Sequence, residues 1–370
     1  MEISTITMIL DTTLVAVFAW VAYKTGSLIW KYTPYSYPNA RIRAMEARLL
    51  SDQRLLELAE SKELENFVVN LEDSDYGKRL SELKSYSVEE IEKALDLSFV
   101  DTILLFQKIM PKRVRGFFEV MLEEWDVRNI VNVVKAKITG LPAQDFVIPV
   151  GKILNKVKAM VEAKTMEEIL VILEGTEYEE PVRKLILKEI NLPEFEHLMY
   201  SLHYQKLLNY VNSRKGEEKV ILSEFVSSLI DSKNISLILR AKASGINAEK
   251  LKIMLIPGGS ISRNVLEAMI SAEDPLMALT ELEKTKYAEV VKNSREAVEK
   301  GDISTVEKQL RRYIQQRMKE QSQFYPLSVA VALSYMLQKE NEIRKLKAIV
   351  RLIADRVRPE RIKEIVGEVT

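Results

Sequence analysis

The chain is 370 residues long and balances 54 Lys and Arg against 54 Asp and Glu, so no net basic charge favours a nucleic-acid partner. Its 12 glycines and 11 prolines are too few for the phosphate loops and tight turns of a nucleotide-binding α/β enzyme, and fit long helices joined by few turns. The absence of cysteine excludes a disulfide framework and a thiolate metal site.

In chain order, the first element is an apolar run of 18 residues from Ile6 to Tyr23, interrupted only by Asp11. That is near the lower limit for a membrane-spanning helix, about 17–25 residues. Trp20, Tyr23 and Trp30 stand at its C-terminal end as an interfacial belt would. Lys24, Lys31, Arg41, Arg43 and Arg48 follow while only Glu2 precedes, which places the main body on the cytoplasmic side of the cell membrane. A signal peptide would need a basic start and a small-residue cleavage site. Upstream sequence outside the native protein is the other alternative. The two prolines of the segment from Thr33 to Pro38 read as a linker that stops helix on either side.

Beyond it, helices are predicted from Asn39 to Asn70, Ile153 to Glu174 and Thr285 to Lys319. A short pattern, Leu-Glu-x-Ser/Thr-x-Tyr, occurs three times, ending at Tyr76, Tyr178 and Tyr287. The tyrosines stand 102 and 109 positions apart. Each is expected to pack its ring between helices and to give its hydroxyl a backbone or carboxylate partner. A second pattern starts at Asp126 with Asn129, Lys135, Lys137 and Gly140, and returns 105 positions later at Asp231 with Asn234, Arg240, Lys242 and Gly245. A weaker copy lies 111 further on, with Glu342, Lys345 and Arg351, and Arg356 at the glycine position. Apolar residues at 130, 133, 134, 138 and 141 recur at 235, 238, 239, 243 and 246 and at 346, 349, 350, 354 and 357, one helical stripe each time. The chain is therefore read as three helical units, 36–141, 142–247 and 248–370, behind an extension at 1–35. Lys135, Lys137, Arg240, Lys242 and Arg351 are the candidate partner contacts; Asn129, Asn234 and the three tyrosines are structural.

Chemistry is sparse. There is no GxxxxGK[ST] or GxGxxG motif, and the turn Pro257-Gly258-Gly259-Ser260 reads as an ordinary interhelical loop. Glu194 and His197 make one E-x-x-H pair, but Tyr200 stands where a second would need an acid for His203, so a di-iron bundle site is not formed. Both histidines read as partly exposed. The basic stretch from Arg311 and Arg312 to Arg317 and Lys319 reads as a solvated face. No catalytic, cofactor-binding or metal residue is assigned.

The segment from Tyr37 to Leu50 (YPNARIRAMEARLL) resembles the opening of the C subunit of archaeal A-type ATP synthases, a family related to the d subunit of the vacuolar ATPase. Trp125-Asp126-Val127-Arg128-Asn129-Ile130 with Lys137 and Gly140 is similar to that family's repeated element. Glu340 to Leu346 and Pro359-Glu360-Arg361-Ile362 resemble its C-terminal one. Residues 1–35 fall outside the resemblance. It implies an all-helical funnel of three pseudo-equivalent units on the cytoplasmic side of a proteolipid ring, receiving a central shaft, passing torque, and binding no nucleotide. A membrane-anchored helical-repeat adaptor without rotary role is the alternative. Were the protein to turn with the ring, an N-terminal helix outside the ring would sweep into the stator, so that helix is expected inside the lumen.

Overall fold

A computed structural model describes residues 3–245 and 248–369 and is all helical, with no strand among them. The repeat position Ile246 and the flanking Glu2 lie outside the described residues.

The first third of the chain forms α1 (Ile3–Glu46), α2 (Asp52–Leu58), α3 (Leu64–Val69), α4 (Gly77–Leu80), α5 (Val88–Ile109), α6 (Lys112–Leu122) and α7 (Glu124–Thr139). The middle third forms α8 (Leu154–Glu162), α9 (Met166–Leu173), α10 (Glu179–Ile186), α11 (Leu192–Asn212) and α12 (Gly216–Ala243). The last forms α13 (Ala248–Met254), α14 (Arg263–Ser271), α15 (Pro275–Thr280), α16 (Ala288–Glu299), α17 (Ser304–Phe324), α18 (Ala330–Ala354) and α19 (Pro359–Val369).

Local signals explain the helix starts. Ser87 Oγ accepts the Glu90 amide at 3.2 Å to begin α5. Asn191 and Glu194 form a reciprocal capping box on α11, so Glu194 serves the helix start. The long predicted helices are broken: the first ends at Glu46, the second divides at Ala163–Thr165, and the third at Gly301.

The linker reading of Thr33–Pro38 is overturned, because α1 runs through Pro34 and Pro38 without a break. Each proline removes a backbone donor, a loss of about 3 kcal/mol or more in an isolated helix. Burial of Tyr35, Pro38, Asn39, Ile42 and Met45 on one face opposes that loss.

Apolar packing joins each segment to the next. Val127, Ile130, Val133 and Val134 of α7 pack with α8–α11. Ile235, Ile238 and Leu239 of α12 pack with α13–α17. Ile343, Leu346, Ile349 and Val350 of α18 pack with Leu55, Phe67, Leu71, Tyr76, Ile91 and Leu95 of α2–α5, so the end of the chain closes on its beginning. In each stripe the first three positions are buried, whereas the described residues at the last two are not: Ile138 and Leu141 are 50% and 53% exposed. A further cluster gathers Tyr35, Phe106, Phe117, Phe118, Phe225, Ile314 and Tyr335 from α1, α5, α6, α12, α17 and α18.

Candidate functional site

The two repeated patterns meet in space, and their polar atoms explain the residue types. In the tyrosine pattern the Ser or Thr hydroxyl donates to the leucine carbonyl and accepts the tyrosine amide. The distances are 2.6 and 3.2 Å at Ser74, 2.6 and 3.3 Å at Thr176, and 2.7 and 3.1 Å at Thr285. The turn so formed drives a buried leucine and tyrosine inward together.

The acid of the second pattern is a clip. Asp126 accepts the amides of Lys152 and Ile153 at 2.9 and 3.1 Å. Asp231 accepts those of Ser260 and Ile261 at 2.9 and 3.2 Å, plus the Ser260 hydroxyl. Asn129 and Asn234 exchange bonds in both directions with Ile148 and Ile256, at 2.8–2.9 Å. The backbone comes so close that a Cβ at Gly151 would lie 2.0 Å from Asp126 Oδ1, and one at Gly259 2.3 Å from Asp231 Oδ1. The Pro257–Ser260 turn lies between α13 and α14, as an interhelical loop does, and Asp231 clips its end. The third clip spans the whole chain: Glu342 accepts the Leu50 amide at 2.5 Å, the Tyr76 hydroxyl at 2.5 Å and Lys339 Nζ at 3.0 Å. Lys345, at the Asn position, reaches Asp52 at 3.2 Å.

Tyr287 donates to Asp231 at 2.7 Å. Tyr178 departs from the expectation, since its hydroxyl takes Lys206 Nζ at 3.5 Å. Burial raises all three tyrosine hydroxyls above their ordinary range.

Of the candidate contact residues, Lys135, Arg240 and Arg351 make corresponding struts, to Glu196 at the start of α11, Glu307 at the start of α17 and Glu92 at the start of α5. Lys137 donates to the Val161 carbonyl at 2.6 Å, and Lys242 is half-buried near the end of α12.

A cavity of about 910 Å³ is walled by α5, α6, α7, α11, α12, α17 and α18. Its apolar base includes Ile103, Met121, Leu207, Phe225, Ile314 and Met336, which belong to the large core cluster. Eight Lys and Arg line it (Arg128, Lys233, Arg240, Lys308, Arg311, Arg312, Arg344, Lys347) against four acids (Asp96, Glu124, Glu307, Glu340). Arg128, Lys233 and Arg344 each stand two positions after a clip acid, so the wall repeats its charge. Two residues is about 200° of helix, which turns the cation to the side opposite the clipped loop. Within the basic stretch read as a solvated face, Arg311 and Arg312 line this cavity, whereas Arg317 pairs with Glu224 at 2.7 Å. Burial and the neighbouring Arg344 charge hold the Arg311 guanidinium below its ordinary value.

Of the two histidines read as partly exposed, His197 is so and His203 is not. His203 is only 2% exposed, its Nδ1 is buried without a partner, and its Nε2 lies 3.9 Å from Glu124. Burial, then Lys206, pushes its pKa down to about 4. His197 is partly buried and Ser201 Oγ donates to its carbonyl at 2.8 Å.

Gly151 and the cationic wall were not singled out from sequence, and Gly259 was read only as part of a turn. The signal that could have found them is offset, a Gly 25 or 28 positions after each Asp and a cation two after each acid.

The chain matches the family model for the ATP synthase (C/AC39) subunit over residues 38–365. It is 68% identical over 368 residues to the A-type ATP synthase C subunit of Pyrococcus abyssi, covering 100% of both chains. It is 57% identical over 368 residues to the protein of that name from Thermococcus onnurineus, again over 100% of both. To that of Methanocaldococcus jannaschii it is 33% identical over 374 residues, 95% of this chain and 92% of that one. The first two alignments take in the apolar N-terminal stretch, which precedes the first residue of the family match.

Proposed function

Since the chain belongs to the ATP synthase C/AC39 family, we propose that it is a non-catalytic rotor subunit of an A-type ATP synthase. In this reading it stands on the cytoplasmic side between the proteolipid ring in the membrane and the central shaft, and transmits torque between ion movement and ATP synthesis or hydrolysis. The three units form a pseudo-threefold funnel, and closure of α18 on α2–α5 makes that body resistant to twisting.

The observation that carries the reading is the cavity. Part of its lining is apolar and belongs to the large core cluster, its walls are helices from all three parts of the chain, and twice as many cations as acids line it. Such a socket fits the acidic end of an elongated helical partner, and clips at its wall convert a turning force on one helix pair into motion of the whole. No nucleotide or cofactor is required of it.

The test is binding of the purified protein to the shaft and to the ring, measured separately. Reversing charge at Lys233 and Arg344 together is expected to weaken shaft binding at least 10-fold at low salt, with the difference shrinking as salt rises. Ring binding is expected to persist. Shaft affinity unchanged by the reversal, or no affinity for either component, would remove the basis of the proposal.

A further inference from the structure

The position of α1 carries an inference that rests on the rotor reading and deepens it. At 1.5 Å per residue this helix is about 66 Å long, yet the protein body holds only its C-terminal third. Tyr35 donates to Glu218 at 2.8 Å, and Lys31 pairs with Glu217 at 3.0 Å, both at the start of α12. Arg113, at the start of α6, donates to the Lys31 carbonyl and stacks 5.1 Å from the Tyr35 ring. Asn39 donates to the carbonyls of Pro326 and Ser328, at 2.9 and 3.0 Å, in the connection from α17 to α18. The Arg113 carbonyl in turn accepts from Tyr210, in the last turn of α11, and from Arg214, in the connection to α12.

Three helix-to-helix connections, one from each third of the chain, therefore converge on one short stretch of α1. The apolar cluster beneath them separates α1 from the cavity on its other side. A helix bonded to the ends of all three wall pairs stands near the axis that relates them, at the closed pole of the funnel.

Among the described residues, the part of α1 before Lys31 joins none of the core clusters. Residues 12–30 are exposed almost throughout, including Phe18 at 67%, Trp20 at 61% and Trp30 at 82%. It is the single described helix long and apolar enough to cross a membrane. Its apolar residues surround it without a polar face, the pattern of a helix that meets hydrocarbon on every side. From Ile3 to Trp30 it reaches about 42 Å, against a hydrocarbon core of about 30 Å.

We infer that α1 enters the membrane on the axis of the funnel, as a central span inside the proteolipid ring, and that its occupant is the ring's inner wall. An axial helix rotates in place. A lateral anchor would have to travel round the outside of the ring and meet the stator. Pro34 and Pro38, each lacking a helix N–H, lie inside the held stretch between Lys31 and Asn39, where contacts with the body and not the helix ladder alone keep the helix straight.

The test uses the assembled complex in native membranes, with a benzophenone side chain introduced at Phe18. The expected adduct is with the ring proteolipid alone, at every rotor position in which the complex can be arrested. An adduct with a membrane component of the stator overturns the inference, as does the absence of a ring adduct in a complex that still holds this protein with ring and shaft. In that case the rotor reading survives. Loss of the protein from ring and shaft, with an unmodified control also failing to assemble, would overturn both.

Discussion

Removing the Glu342 carboxylate tests the closure of the chain most directly. Glu342 is 5% exposed and holds three groups: the Leu50 amide, the Tyr76 hydroxyl and the Lys339 ammonium. Lys339 is itself 2% exposed, with its Nζ 3.7 Å from the centre of the Tyr76 ring. In Glu342→Ala the buried ammonium loses its counter-ion, which in comparable sites costs about 3–5 kcal/mol. Two further donors are left unpaired, each worth about 1–3 kcal/mol where water cannot enter. These losses share one space and do not add, so a loss of about 4 kcal/mol is expected. Glu342→Gln keeps an acceptor and should lose about half as much. Adding Lys339→Met to Glu342→Gln removes the stranded charge, so the double variant is expected to be more stable than Glu342→Gln alone. The assay is urea unfolding of the purified protein, with amide exchange at Leu50 as the local reading. A Glu342→Ala protein within about 0.5 kcal/mol of the parent, with Leu50 equally protected, would refute the claim that this clip closes the body.

Gly259→Ala places a methyl 2.3 Å from Asp231 Oδ1 and is expected to cost about 2–3 kcal/mol; a stability equal to the parent would show that the loop has room to move away. Arg356 sits at φ +57° where the earlier copies have Gly140 and Gly245. Relief of left-handed strain at about 1–2 kcal/mol exceeds the entropy lost to glycine, so Arg356→Gly should stabilise by about 0.5 kcal/mol or more, read as a higher melting temperature. His203 is held at about 4 by burial, whereas an unfolded histidine titrates near 6.5. Between these values the unfolded chain binds more protons, so stability is full above about pH 6.5 and falls as pH drops towards 4, by at most about 3 kcal/mol. His203→Gln should flatten that part of the unfolding profile, and an unchanged acid slope would assign it elsewhere.

Much of the architecture was legible because its causes are local. The tyrosine pattern is a turn closed by its own hydroxyl, and the stripe of Ile130, Val133 and Val134 is one helix face, so both repeat wherever the residues do. The family resemblance rested on other short stretches, Tyr37–Leu50, Trp125–Ile130 and Glu340–Leu346, which are equally local. Helix ends were less legible, because a break such as that at Gly301 hardly alters the apolar period.

Other features depend on partners distant in sequence. Two prolines predict a break in α1, yet burial of Tyr35, Asn39 and Ile42, with bonds from Tyr35 to Glu218 and from Asn39 to Pro326 and Ser328, holds the helix whole. Arg240 is a surface cation by sequence and becomes a strut only because α17 brings Glu307 to it. Asp126 and Asp231 could be aligned from sequence. That they clip the following loop, and that Glu342 makes the same clip on Leu50 across the whole chain, was decided by the tertiary structure. The sequence alone determined the period, the helical class and the family, since these rest on spacing within a few turns. Closure of the third copy on the first, and the cationic wall that it completes, required the chain ends to be brought together. Only long-range packing supplies that.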